Sequence, residues 1–108
     1  EDYGPERLNI APRVLTAGEL DEVRKLQHDR QWMAILIRFS IKEAIYKALD
    51  PIVQRYVGFH EAIVTPDLSG NAKVHLALAN QEGPFEVDAH YEWLHGQLLT
   101  SVRISQQG

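Results

Sequence analysis

The sequence predicts an α+β domain in which two helices pack on an antiparallel sheet of three to four strands. Between residues 30 and 49, apolar side chains recur at steps of three and four, which is the spacing of one helix face. After Gly58 the pattern changes to alternation of apolar and polar residues, which is typical of half-buried strands. Short turns separate the successive strands, so antiparallel pairing is the simplest connection.

Composition limits the classes of protein to consider. The chain has 108 residues, 44% of them hydrophobic, and this predicts one domain over residues 1–108. The net charge of −4 argues against a nucleic-acid binder, and the absence of cysteine excludes disulfides and thiolate metal sites. The longest apolar run, residues 32–37, is far shorter than the roughly 20 residues of a membrane span. We therefore expect a cytoplasmic protein without a membrane partner.

The first elements are a lead-in and a short helix. Residues 1–12 contain two prolines and a glycine and are predicted to form an irregular lead-in. Thr16 can cap a helix, and Glu19 follows at the offset of a capping box. Apolar residues then mark one face of a helix that ends near His28.

The second helix is the strongest element of the sequence. Asp29 can cap it, and its apolar stripe extends over residues 30–49. Pro51 disfavours helical geometry at Asp50, so we predict that the helix ends there.

Four strands are predicted after the helices. Turns rich in glycine, proline, aspartate and asparagine separate them, as expected for a meander of antiparallel strands. The final residues are polar and predicted to form a loose tail. The predicted strands are residues 59–65, 73–78, 85–93 and 97–104, with 103–108 as the tail.

Residues 39–47 of the second helix carry the most informative pattern. Glu43 and Lys47 are four residues apart and share a helix face. Removing water from a carboxylate at the edge of an apolar stripe is costly, so Glu43 needs a cation or several hydrogen-bond donors. Mg²⁺ suits such an oxygen ligand and bridges to substrate phosphates, which nearby lysines can also contact. Spacing alone favours the simpler alternative, a surface salt bridge worth about 0–1 kcal/mol.

The same segment resembles the signature of the 4′-phosphopantetheinyl transferase superfamily. That signature is an aromatic residue, a small residue, any residue, Lys-Glu, Ala or Ser, two more residues and Lys. Residues 13–20 also resemble the segment that precedes the signature in this family. The matching positions are Phe39, Ser40, Lys42, Glu43, Ala44 and Lys47.

The resemblance implies a magnesium-dependent enzyme. It would transfer the 4′-phosphopantetheine group of coenzyme A to a serine of an acyl or peptidyl carrier protein, releasing 3′,5′-adenosine bisphosphate. Glu43 would bind Mg²⁺ and serve as the base or orient it, Lys47 would neutralise the pyrophosphate, and Lys42 would lie near the phosphate or the acceptor. Catalysis would depend on positioning and on charge stabilisation.

The family has a short branch, whose members are single halves that trimerise, and a longer surfactin- and enterobactin-type branch of two similar halves. The short enzymes have a metal-binding Asp soon after Met and a Ser-His pair in their last strands, and this chain has neither. We therefore expect the C-terminal half of a longer enzyme, one half of a pseudo-twofold fold. Its partners would be the N-terminal half or a second copy, and the half alone would be nearly inactive.

Glu1 is a candidate second metal ligand. In the longer branch a Gly-Ile/Val-Asp-Xaa-Glu motif supplies two acidic groups, and Glu1 lies 42 positions before Glu43 (43 − 1 = 42), a separation that suits the family. The five histidines show no metal-ligand spacing. The competing interpretation is a non-catalytic interaction or dimerisation module, which would bind neither metal nor nucleotide.

Overall fold

A computed structural model describes residues 11–106 and confirms the predicted α+β class. Three helices pack on a four-stranded antiparallel sheet with strand order β1-β2-β3-β4. The helices are α1 (Ala11–Val14), α2 (Ala17–Arg24) and α3 (His28–Val53). The strands are β1 (Ala62–Pro66), β2 (Asn71–Leu76), β3 (Phe85–Leu94) and β4 (Gln97–Gln106).

The start of α2 confirms the predicted capping box. The Thr16 hydroxyl accepts a hydrogen bond from the Glu19 amide at 3.3 Å, and the Glu19 carboxylate accepts one from the Thr16 amide at 2.8 Å. The helix ends at Arg24, earlier than predicted. Of the predicted lead-in, residues 1–10 lie outside the described part of the chain. The irregular interpretation is wrong for Ala11 and Pro12, which form the start of α1.

Helix α3 is longer than predicted and contains Pro51. Proline has no N–H to donate to the carbonyl of Lys47, but so close to the end of the helix only the last turn is affected. The helix continues to Val53, and Gln54 then adopts the left-handed conformation with φ of 57°. The Gln54 amide donates to the carbonyl of Asp50 at 2.9 Å, which closes the last turn.

The β3–β4 hairpin is the longest part of the sheet. Leu94 pairs with Gln97 across a two-residue turn of His95 and Gly96, which have positive φ values of 53° and 78°. Positive φ at both central residues gives the turn a twist that matches the strands. At the other end Gln106 pairs with Phe85, so the prediction of a loose tail is wrong for residues 103–106. Ile104 packs against the hydrophobic core, and the polar Ser105 and Gln106 lie in the strand because β3 supplies a paired backbone.

Helix α3 contributes to two hydrophobic clusters. One lies between α3 and the sheet, and the other lies between α3 and the two shorter helices. The first cluster includes Ile41, Ile45, Leu49, Val57, Ala62, Val64 and Ala89, and the second includes Val14, Leu15, Val23, Trp32 and Ile35. Packing on two sides therefore determines where α3 lies. Within residues 11–106, none of the helices has the length and apolar character needed to cross a bilayer.

Residues 59–61 form a 3-10 turn rather than the predicted start of a strand. The Glu61 carboxylate accepts a hydrogen bond from the Gly58 amide at 2.7 Å and thereby caps the turn. Arg55 binds Glu61 at 2.6 Å and Glu82 at 2.7 Å, which joins the end of α3 to the segment between β2 and β3. The hydrogen bond from Arg55, with those from the amides of Ala79 and Gly58, lowers the pKa of Glu61 to about 2.

This pKa predicts acid sensitivity. Because the pKa of Glu61 is lowered from its ordinary value of 4.5, the ionised carboxylate stabilises the fold at pH values above 4.5. This contribution is lost as the pH falls toward about 2. Because Glu61 is partly exposed, we expect a loss of about 1–3 kcal/mol in the free energy of unfolding. Urea unfolding between about pH 5.5 and pH 2.5 should show a shallower decline for Glu61→Gln than for the wild type. If the free energy of unfolding declined equally with pH in Glu61→Gln and the wild type, Glu61 would not be the source of the acid sensitivity.

Candidate active site

Glu43 lies on the exposed side of α3, beside a groove between this helix and the β3–β4 hairpin. The groove has a volume of about 360 Å³. Its wall is about equally polar and apolar, and the Glu43 carboxylate lies beside the apolar part formed by Leu36, Phe39, Trp93 and Leu98. The residues that line the groove are Leu36, Phe39, Ser40, Glu43, Trp93, Gly96, Gln97 and Leu98.

A hydrogen bond between side chains ties α3 to β4 beside this groove. The hydroxyls of Ser40 and Thr100 are 3.0 Å apart, and either can donate. Ser40 precedes Glu43 by three residues, so the two share one face of the helix. The bond therefore connects the face that carries Glu43 to the sheet.

Lys47 is also exposed and follows Glu43 by one helical turn. It lines a separate hollow of about 300 Å³ together with Tyr46, Asp50, Tyr56 and Val57. Within residues 11–106, neither Glu43 nor Lys47 forms an ion pair. The surface salt bridge between them is therefore not formed, and both charged groups are available to a ligand.

Lys42 occupies a very different environment and requires a correction. The resemblance predicts that Lys42 lies near the phosphate or the acceptor, but its side chain is fully buried. The Lys42 ammonium donates to the Glu19 carboxylate at 2.6 Å, to the Phe59 carbonyl at 2.8 Å and to the Val14 carbonyl at 2.9 Å. These three acceptors use all three of its protons, so none is left for coenzyme A.

Glu19, which the capping-box pattern predicts as a helix cap, also binds groups outside its own helix. It is 2% exposed, and its second carboxylate oxygen accepts a hydrogen bond from the Val64 amide of β1 at 2.7 Å. Burial lowers the pKa of Lys42, while the hydrogen bond and the charge of Glu19 act in the opposite direction. The capping-box pattern located Glu19, but nothing local in the sequence indicates its distant partner.

The acidic side chains allow a test of the metal hypothesis. The predicted ligand Glu1 lies outside the described residues, and residues 11–106 contain no cluster of three or more metal-ligating side chains. Mg²⁺ commonly keeps several waters and binds one or two carboxylates together with substrate phosphates. The exposed, unpaired carboxylate of Glu43 fits one position of such a site, and other oxygens must supply the rest.

Comparison with known proteins gives the family of the chain. Residues 1–105 match the sequence profile of the 4′-phosphopantetheinyl transferase superfamily. The chain belongs to this superfamily. It is also 33% identical over 97 residues to a holo-[acyl-carrier-protein] synthase of Limosilactobacillus fermentum (strain NBRC 3956 / LMG 18251), an alignment that covers 89% of this chain and 76% of that protein.

Membership of the 4′-phosphopantetheinyl transferase superfamily confirms the enzyme class that the Lys-Glu signature predicted. The signature residues have two different environments in this member of the superfamily. Glu43 and Lys47 are exposed on one face of α3, whereas Lys42 is buried against Glu19. Glu43 and Lys47 are therefore accessible to a ligand, whereas Lys42 is not.

Proposed function

We propose that the protein transfers the 4′-phosphopantetheine group of coenzyme A to a serine hydroxyl of an acyl or peptidyl carrier protein, with Mg²⁺ as cofactor. The observation that carries the proposal is the pair of exposed, unpaired charges at Glu43 and Lys47, in register with the signature of the superfamily. The name of the related holo-[acyl-carrier-protein] synthase supports a carrier protein as the acceptor.

The proposed reaction is a phosphoryl-type transfer. The serine oxygen forms a bond to the β-phosphorus of coenzyme A, and the bond from that phosphorus to the bridging oxygen breaks, which releases 3′,5′-adenosine bisphosphate. Glu43 holds the metal and accepts or orients the serine proton. Lys47 places positive charge beside the pyrophosphate as negative charge shifts to the leaving group. When bound, Mg²⁺ would supply Lewis acidity and hold the phosphate oxygens in place.

For the branch of the family, we propose the longer, two-half type. The support lies in β4 and the residues after it, where serines occur at positions 101 and 105 without a histidine, unlike the Ser-His pair of the short enzymes. The name of the relative favours the short branch instead. In the two-half type, the segment that contains Glu1 and the N-terminal half would supply the remaining metal ligands, and residues 1–108 alone would be nearly inactive. A second copy of the chain is the alternative partner.

Transfer can be measured directly on the full-length protein. We expect that apo carrier protein incubated with coenzyme A and Mg²⁺ gains the mass of one phosphopantetheine group, because the carrier serine is the acceptor. Chelation with EDTA should abolish the gain, and added Mg²⁺ should restore it.

Mass spectrometry of carrier proteins of both the acyl and the peptidyl type, with a carrier Ser→Ala variant as control, checks this outcome. Absence of any mass gain on both types would overturn the proposed function. Transfer that persists in EDTA would overturn the metal requirement alone.

A further inference from the structure

We propose that the buried pair of Glu19 and Lys42 is a positioning device that fixes the rotation of α3 about its axis and thereby aims Glu43 at the groove. Lys42 and Glu43 are adjacent in the chain, but one is fully buried and the other exposed. The inference rests on the proposed function, because it concerns the metal-binding role of Glu43. It assigns Lys42 to positioning and not to contact with the substrate.

The Lys42 ammonium connects α3 to three other parts of the fold. Its acceptors are the Val14 carbonyl at the end of α1, the Glu19 carboxylate in the first turn of α2, and the Phe59 carbonyl in the 3-10 turn before β1. The three distances lie between 2.6 and 2.9 Å, as expected for well-formed bonds. One side chain of α3 is therefore held from three directions.

Glu19 extends these connections to the sheet. Its Oε1 accepts from the Thr16 amide and from Lys42, and its Oε2 accepts from the Val64 amide in β1. Both oxygens are thus bonded to groups that belong to other elements. A rotation of α3 would have to break charge-assisted hydrogen bonds in the interior.

Apolar packing places α3 between the two clusters, and the buried pair adds a directional restraint to it. The neighbours Ile41 and Ile45 are fully buried, but their contacts lack the preferred direction of a hydrogen bond. Replacing a buried ion pair with well-packed apolar side chains is often neutral for stability, so a stabilising effect is a weak reason for the presence of this one. Its directional bonds supply the reason that we propose.

The geometry of a helix makes small rotations important. A side-chain carboxylate lies about 5–6 Å from the helix axis, so a rotation of about 10° moves it by about 1 Å. A displacement of about 1 Å in a reacting group can lower a rate about 10²-fold. The Ser40–Thr100 hydrogen bond restrains the same helix on the side of the groove. Together these contacts hold α3 on two sides of Glu43.

The decisive variant is Glu19→Gln with Lys42→Met, which removes both charges and keeps the approximate shapes. The control is Leu49→Ala, which creates a cavity in the core between α3 and the sheet without touching the pair. Mn²⁺ binding in the presence of coenzyme A, followed by electron paramagnetic resonance, reports the metal site without requiring turnover. Urea unfolding of the same full-length samples reports stability.

We expect the double variant to stay folded and to bind Mn²⁺ at least about tenfold more weakly than the wild type, because Glu43 is displaced. Its urea midpoint should be lower than that of the wild type, because a glutamine NH2 group cannot accept from the Thr16 or Val64 amide and the Val14 and Phe59 carbonyls lose their donor. Leu49→Ala should unfold at lower urea and bind Mn²⁺ as tightly as the wild type. Equal Mn²⁺ affinity in the double variant and the wild type would overturn the positioning role. Failure of the wild type to bind Mn²⁺ with coenzyme A would instead overturn the metal site of the proposed function, so the two failures are distinguishable.

Discussion

Glu43→Gln in the full-length protein is expected to lower kcat/KM for phosphopantetheine transfer by about 10²–10³-fold, with the fold intact. The amide keeps the size of the side chain and removes the anionic ligand on which the proposed site depends. Because Glu43 is exposed and has no ion-pair partner among the described residues, its replacement should change the free energy of unfolding by no more than about 0.5 kcal/mol. Steady-state kinetics with apo carrier protein check the predicted kcat/KM. Urea unfolding checks the predicted free energy of unfolding.

The matched control is Glu92→Gln. Glu92 is an exposed residue of β3 that lines a hollow apart from Glu43, so the same chemical change is made away from the groove. Its kcat/KM should stay at the wild-type value. If both variants lose activity equally, or neither does, Glu43 has no special role and the proposed site is wrong.

Lys42→Met is expected to lower the free energy of unfolding by about 3–5 kcal/mol, the largest effect on stability that we predict. The substitution leaves the Glu19 carboxylate charged and buried, without the cation at 2.6 Å that compensates its loss of water. Glu19→Gln in the same chain removes that uncompensated charge, so the double variant should recover part of the stability; the remainder stays lost because the Val14 and Phe59 carbonyls have no donor. Urea unfolding of both single variants and the double variant gives the coupling energy.

Lys47→Met is the matched control for this experiment. It makes the same substitution five residues later on the same helix, where the side chain is exposed. We expect a change within about 0.5 kcal/mol. A double variant whose loss of stability equals the sum of the two single losses would show that the two side chains are not energetically coupled.

The local patterns of the sequence predicted much of this architecture. Apolar periodicity located α3, and the capping-box offset located the start of α2 at Thr16. Pro51 indicated the end of α3 one turn too early, because proline weakens a single turn without preventing it. The polar end of β4 gave no strand pattern, since its conformation comes from pairing with β3.

The site was harder to predict than the fold. Lys42 and Lys47 are chemically identical and belong to the same signature, so the resemblance placed both beside the substrates, Lys47 at the pyrophosphate and Lys42 near the phosphate or the acceptor. Their difference arises from contacts distant in the chain, because the acceptor Glu19 lies 23 residues before Lys42. A repeat of three or four residues reports which face of a helix is apolar, but it does not report which polar group on another element meets a buried charge.

The two clusters that meet on α3 have a consequence for how the molecule folds. Since α3 forms one wall of each cluster, separation of α3 from the sheet would also disturb the surface on which α1 and α2 pack. The short helices and the sheet should therefore melt in one cooperative transition instead of two separate ones. Damage to the sheet side of the helix would then weaken the packing of α1 and α2 as well, although no residue of theirs had changed.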